Sequence, residues 1–245
     1  MLAVDALSKK FGQTPVLNNV TFTLPAGQVL AVLGRSGCGK TTLLKILAGL
    51  ETTDAGDVRI DKQSVLTVPP ERRQVVYLSQ EPLLFPHLTV FENVAFGLRI
   101  RKLDNATIER QVNELLADLE LSDQAKKQPN QLSGGQRQRV SFGRALIIKP
   151  RLLLLDEPFG NLDAQTRAVM QALFVRVVSQ YAMTALFVTH DTREALTVGT
   201  CFGYLDQGVL TAYESVRDFV ADPRTGVRSE LAFWESVQLT SRTID

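Results

Sequence analysis

Lys40 and Thr41 close the run Gly34-Arg35-Ser36-Gly37-Cys38-Gly39-Lys40-Thr41, whose spacing is Gly-x-x-x-x-Gly-Lys-Thr. Glycines at those places let backbone N–H groups approach phosphate oxygens closely. The lysine reaches the β- and γ-phosphates, and the threonine hydroxyl binds Mg²⁺. Farther along, Leu152–Leu155 run into Asp156-Glu157. A carboxylate closing an apolar strand is the usual Mg²⁺ partner of such a loop. Its neighbour Glu157 is a candidate to polarise a water for attack on the γ-phosphate. His190 follows the apolar stretch Ala185–Thr189 and is a candidate to hold the γ-phosphate or the water. Chemistry alone leaves open that Glu157 is a helix cap or half of an ion pair, and a lone histidine serves structure as readily as catalysis. Leu132-Ser133-Gly134-Gly135-Gln136, with its small residues, reads as a helix N-terminus suited to an anion. The unpaired N–H groups and dipole of such an end favour phosphate.

These residues need elements to hold them. Val29–Leu33 is apolar on both faces, as in a strand inside a sheet. It feeds the glycine loop, and a helix with Leu43, Leu44, Ile46 and Leu47 follows, ended by Gly49. Leu2–Leu7, Val20–Leu24, Asp57–Ile60, Val75–Leu78, Leu152–Asp156 and Ala185–Thr189 read as further strands. Ser8–Gly12 reads as a loop, and so does the Pro-punctuated Leu83–Leu88. Asp104 caps a helix carrying Ile108, Val112, Leu115, Leu116 and Leu119. Another helix is expected around Val169–Val177. Asp206-Gln207-Gly208 marks a hairpin between Cys201–Leu205 and Val209–Tyr213. Strands alternating with helices indicate an α/β fold with a parallel sheet, and the antiparallel-looking pieces at both ends suggest an added β layer. Ligands of such sheets gather at the carboxyl ends of strands. The glycine loop, Gln80, Asp156-Glu157 and His190 all have that address.

The chain has 245 residues and a net charge of +1, against the basic excess of a dedicated nucleic-acid binder. No apolar run approaches the ~18 residues that span a bilayer, and no leader is evident. Two cysteines form no disulfide framework. The chain is therefore expected in the cytoplasm, with any membrane role exerted through a partner. Other phosphate-loop classes are disfavoured. The Asn-Lys-x-Asp guanine reader of GTPases is missing, and Arg99-Ile100-Arg101 reads as a solvated face rather than a kinase lid.

The ordered set of motifs resembles the ATP-binding-cassette (ABC) ATPases over roughly residues 1–220. Gly34–Thr41, with Thr42, matches the Walker A loop, Gln80 the Q-loop glutamine and Leu132–Gln136 the signature. Leu152–Asp156 matches the Walker B strand, Glu157 the catalytic glutamate, Asn161-Leu162-Asp163 the D-loop and His190 the switch histidine. Phe11 matches the aromatic that stacks on adenine. Gln80–Val90 with Glu92-Asn93-Val94 resembles bacterial importer subunits serving inorganic ions, iron, polyamines, osmolytes or sugars. His87 in that stretch is expected at the surface or a coupling groove.

The resemblance implies a phosphate-loop ATPase of ABC type: a mainly parallel core, an N-terminal antiparallel β subdomain, and a helical subdomain at about 85–145 bearing the signature. It implies ATP and Mg²⁺, with Thr41, Gln80 and Asp156 at the metal and Lys40, Gln80, Glu157 and His190 in catalysis. Two cassettes would meet head to tail, likewise by resemblance, so that Ser133 and Gly135 touch the ATP of the partner and the Asp163 loop links the two sites. The implied partners are a second cassette, integral membrane permease subunits and an extracytoplasmic substrate-binding protein, with no nucleic acid. The implied place is the inner face of the cell membrane. One domain over 1–245 is expected, with 222–245 a short tail and no regulatory domain, and with Trp234 packing the tail on the core. A soluble ABC ATPase acting on DNA or ribosomes is the alternative, but such proteins usually carry tandem cassettes or long insertions. Gly143, inside the helix after the signature, costs about 1 kcal/mol against alanine, which points to close packing there.

Overall fold

The computed structural model describes residues 1–241, and the side chains of residues 1–234; the last four residues of the expected tail lie outside the described residues. Strands β1 (Leu2–Phe11) and β2 (Thr14–Leu24) form a hairpin, and β3 (Val29–Leu33) then leads through the glycine loop into α1 (Lys40–Ala48). Next come β4 (Ala55–Ile60), the two-residue β5 (Gln63–Ser64) and β6 (Val75–Leu78). Three helices follow: α2 (Val90–Ile100), α3 (Asn105–Asp118) and α4 (Gly134–Leu146). The chain returns as β7 (Leu152–Asp156), α5 (Ala164–Gln180), β8 (Ala185–Thr189) and α6 (Thr192–Val198). It closes with β9 (Cys201–Asp206), β10 (Val209–Tyr213), α7 (Val216–Ala221) and α8 (Val227–Ser241).

The main sheet has the order β10-β9-β3-β8-β7-β6, parallel except for β10. Every residue of β3, β7 and β8 is buried. Their side chains divide by parity, as strand geometry requires. Leu30, Val32, Leu154 and Val188 face α1 and the N-terminal sheet, while Ala31, Leu153, Leu155 and Phe187 face α2–α5. That two-sided burial explains the unbroken apolar runs in the sequence. The N-terminal sheet, β2-β1-β4-β5, is antiparallel.

Several expectations need correction. Only the N-terminal pieces build a second β layer. The C-terminal hairpin joins the main sheet instead, because β9 pairs in parallel with β3. Ser8–Phe11 is strand rather than loop: the pairing with β2 continues to Phe11 opposite Thr14, and Lys9, buried despite its charge, is held by Glu51 at 2.9 Å. The stretch after Leu88 begins a helix. Thr89 and Glu92 form a reciprocal capping box, the Thr-x-x-Glu pattern that marks a helix start. Tail residues 227–241 are also helical. Gly143 meets its expectation, since a Cβ there would lie 3.0 Å from both Leu119 and Val94. Trp234 is only half-covered and rests on the guanidinium of Arg193 in α6, 3.7 Å from the ring centre. Among the described residues no helix is long and apolar enough to cross a membrane.

Candidate functional site: a phosphate-loop cleft

The carboxyl ends of β3, β7 and β8 lie side by side because the strands run parallel in register. Their loops therefore share one edge of the sheet. A cleft of about 530 Å³ opens there, lined by Phe11, Val16, Ser36, Gly37, Gly39, Lys40, Thr41, Thr42, Gln80, Asp156 and Glu157. Gly39 lies at φ 109°, and a Cβ on it would come within 2.7 Å of the Val16 carbonyl, so only glycine fits. Gly34, Arg35 and Cys38 shape the loop without lining the cleft. Cys38 is half-buried against the core below α1, and burial pushes its thiol above the ordinary range.

Lys40 is buried at the start of α1. Its ammonium donates to the carbonyls of Gly34 at 2.7 Å and Arg35 at 3.0 Å, and stands 3.7 Å from Glu157 Oε1. The other oxygen of Glu157 is 3.0 Å from Nδ1 of His190. Glu157 occupies the left-handed region at φ 46°, and its N–H donates to the Val188 carbonyl at 3.1 Å. That turn directs the side chain back over the sheet edge, and strained non-glycine residues of this kind cluster at working sites. Thr41 Oγ1 donates to Asp156 Oδ1 at 3.2 Å, and the Tyr77 hydroxyl donates to Oδ2 at 2.9 Å. Hydroxyl, carboxylate and amide oxygens are the hard donors Mg²⁺ prefers, and Thr41, Asp156 and Gln80 supply that set along one wall of the cleft. The amide N–H₂ of Gln80 donates to Asn161 Oδ1 at 3.3 Å, which ties the Q-loop to the D-loop. Phe11 is half-exposed at the outer lip of the cleft.

The residues of the signature stand apart. Leu132 is buried, and Ser133 caps α4 in a reciprocal box with Gln136: the Gln136 N–H donates to Ser133 Oγ at 3.2 Å, and the Ser133 N–H to Gln136 Oε1 at 2.9 Å. Gly135 is buried against α5, and Gly134 faces a neighbouring depression beside Pro82 and Pro158. Among the described residues, none of 132–136 lines the cleft of Lys40. Asp163 caps α5 by accepting the Thr166 N–H at 3.0 Å, and that bond holds its carboxyl below the usual range.

Three positioning residues escaped the reading of the sequence. Asn93 is fully buried in α2; its amide donates to the carbonyls of Phe85, Leu88 and Thr89 and accepts the Phe85 N–H, so it fixes the loop that follows Gln80. Arg167 of α5 donates to the Leu162 carbonyl at 3.0 Å and to Asp191 at 3.4 Å, which joins the D-loop to the segment after His190. Tyr77 holds Asp156 from behind. The capping pattern Thr89-x-x-Glu92 could have revealed the helix of Asn93; nothing local marks the other two.

The family model described as ABC transporter matches residues 17–160. The chain is 45% identical over 228 residues to the sulfate/thiosulfate import ATP-binding protein CysA of Vibrio vulnificus, covering 91% of this chain and 66% of that protein. It is 43% identical over 217 residues to the spermidine/putrescine import ATP-binding protein PotA of Thermotoga maritima, covering 87% of this chain and 59% of that protein. The chain thus spans between 59% and 66% of the length of these relatives. With its phosphate loop, paired carboxylates and separate signature helix in this arrangement, the chain belongs to the ABC transporter family.

Proposed function

We propose that the chain binds and hydrolyses ATP as the cassette of a bacterial importer, working as a head-to-tail dimer beneath a membrane permease. The observation that carries this reading is the division of labour in the site. Lys40, Thr41, Asp156, Glu157 and His190 meet at one cleft, while Ser133–Gln136 lie outside it. A second copy is then needed to bring a signature helix to each ATP. The relatives named for sulfate, thiosulfate, spermidine and putrescine import support an importer role and, as partners, permease subunits and an extracytoplasmic binding protein. They also support a position on the inner face of the membrane. We read residues 1–245 as one ATPase domain, with a helical subdomain at about 85–145 whose helices share a continuous core with the main sheet.

Glycine-loop N–H groups and Lys40 would cradle the phosphates, with Phe11 at the lip for the adenine ring. Thr41, Asp156 and Gln80 would hold Mg²⁺, which would supply charge neutralisation at the phosphates. Glu157 accepts the proton of the attacking water through Oε2, and His190, 3.0 Å away, orients that carboxylate. Lys40 stands 3.7 Å from Oε1 on the phosphate side of that carboxylate.

Glu157→Gln keeps the shape of the site and removes the base. The expected result is retained ATP binding, a turnover rate lower by roughly 10²–10⁴-fold, and an ATP-bound dimer on size exclusion. A Glu157→Gln protein that hydrolyses ATP at the normal rate would refute the role given to this residue.

A further inference from the structure

Both oxygens of the Asp156 carboxylate are engaged by hydroxyls, one on each. Thr41 reaches Oδ1 from the cleft that it lines. Tyr77 reaches Oδ2 at 2.9 Å and is not among the residues lining that cleft. Tyr77 lies in β6 opposite Leu154 of β7 in parallel register, and Asp156 is two residues farther along β7 on the same face. Its ring is half-buried against the core below α1, beside Leu152 and Leu154. Packing therefore fixes the ring, and the phenol projects along the sheet to the carboxylate. A tyrosine hydroxyl is protonated at neutral pH and so donates to the carboxylate.

The terminal torsion of an aspartate is broad. One hydroxyl on one oxygen leaves the carboxylate plane free to swing; a second, charge-assisted bond on the other oxygen removes that freedom. We propose that Tyr77 is a positioning residue for the metal carboxylate: by holding Oδ2 it fixes the plane in which Oδ1 meets Thr41 and the Mg²⁺ site. The inference rests on reading the cleft as a Mg²⁺–ATP site. Tyr77 itself does not line the cleft.

The test is the gain in nucleotide affinity that Mg²⁺ confers. Binding of a fluorescent ATP analogue is titrated in EDTA and in saturating Mg²⁺ for the wild type, Tyr77→Phe, Asp156→Asn and the double variant, with the melting temperature of each measured alongside. Tyr77→Phe is expected to leave the EDTA affinity unchanged and to reduce the Mg²⁺ gain by about tenfold, the scale of losing an outer partner of a metal ligand. Adding Tyr77→Phe to Asp156→Asn should change the gain no further, because the hydroxyl acts only through that carboxylate. A Tyr77→Phe protein with the wild-type Mg²⁺ gain overturns the proposal, and so does one that loses affinity equally in EDTA and in Mg²⁺. A wild-type protein with no Mg²⁺ gain refutes the metal–nucleotide reading of the cleft, and Tyr77's part falls with it.

Discussion

Glu194 illustrates how one side chain can carry the burden of an element. It is 3% exposed, four residues after His190, and accepts the Thr189 hydroxyl at 2.7 Å. Burial pushes its carboxyl above the ordinary value of 4.5, with the Thr189 bond and Arg167 opposing and Asp191 adding to the rise. A carboxyl whose folded pKa is raised binds more protons folded than unfolded. Its contribution is complete below the ordinary value and declines as pH rises through the raised one. Glu194→Gln keeps the acceptor for Thr189 and removes the charge. The fall in stability of the wild type between about pH 4.5 and the neutral range should therefore be shallower in Glu194→Gln, read by denaturant unfolding at a series of pH values. Parallel slopes for the two proteins would show that Glu194 is not the group responsible.

At the level of elements, the first turns of α4 and α5 fit closely. Gly135 lies in the first turn of α4, and a Cβ on it would lie 2.6 Å from the Thr166 methyl carbon on α5. Gly135→Ala is expected to destabilise the protein by about 1–3 kcal/mol through overpacking and to tilt the signature helix. Thr166→Ser, which removes only that methyl, should restore most of the loss in the double variant. A Gly135→Ala protein as stable as the wild type would show that the two turns separate at no cost. Farther along the chain, α8 reaches α6 through Glu230, which stands 3.7 Å from Arg193 and accepts the Thr192 hydroxyl, and through Trp234 on the same arginine. The helix directly after His190 is thereby braced by the last described helix.

For the molecule as a whole, the dimer proposed above has Leu132–Glu157 serve two sites rather than one. Asp156 and Glu157 face the cleft of this chain's own Lys40, whereas the free end of α4 lines a neighbouring depression. In the dimer proposed above, an arginine at position 133 would stand against the partner's ATP. Ser133→Arg is expected to abolish ATP-driven dimerisation in the Glu157→Gln background while single copies still bind ATP. Loss of the Ser133 cap, about 0.5–2 kcal/mol, is followed separately through the melting temperature. Dimerisation unchanged by Ser133→Arg would refute the shared site.

Much of the site was legible from residue order, because the chemistry of phosphate binding restricts residue type and spacing locally. A glycine at φ 109°, a buried lysine and a threonine hydroxyl must follow one another within a single turn, so Gly39-Lys40-Thr41 can be read as text. Strands β3, β7 and β8 were equally plain, since burial on both faces leaves an unbroken apolar run. The remainder depended on pairings between distant segments. The C-terminal hairpin has the same local pattern whether it pairs with β2 or with β3, and only the assembled sheet placed β9 beside β3. Asn93, Arg167 and Tyr77 are ordinary residues in their own elements, and they acquire their roles from partners 5, 24 and 79 positions away. The sequence by itself determined the candidate residues, because each motif is a short contiguous run. Only the tertiary structure decided what holds them in place, because side chains meet across parallel strands and packed helices at separations that no local pattern records.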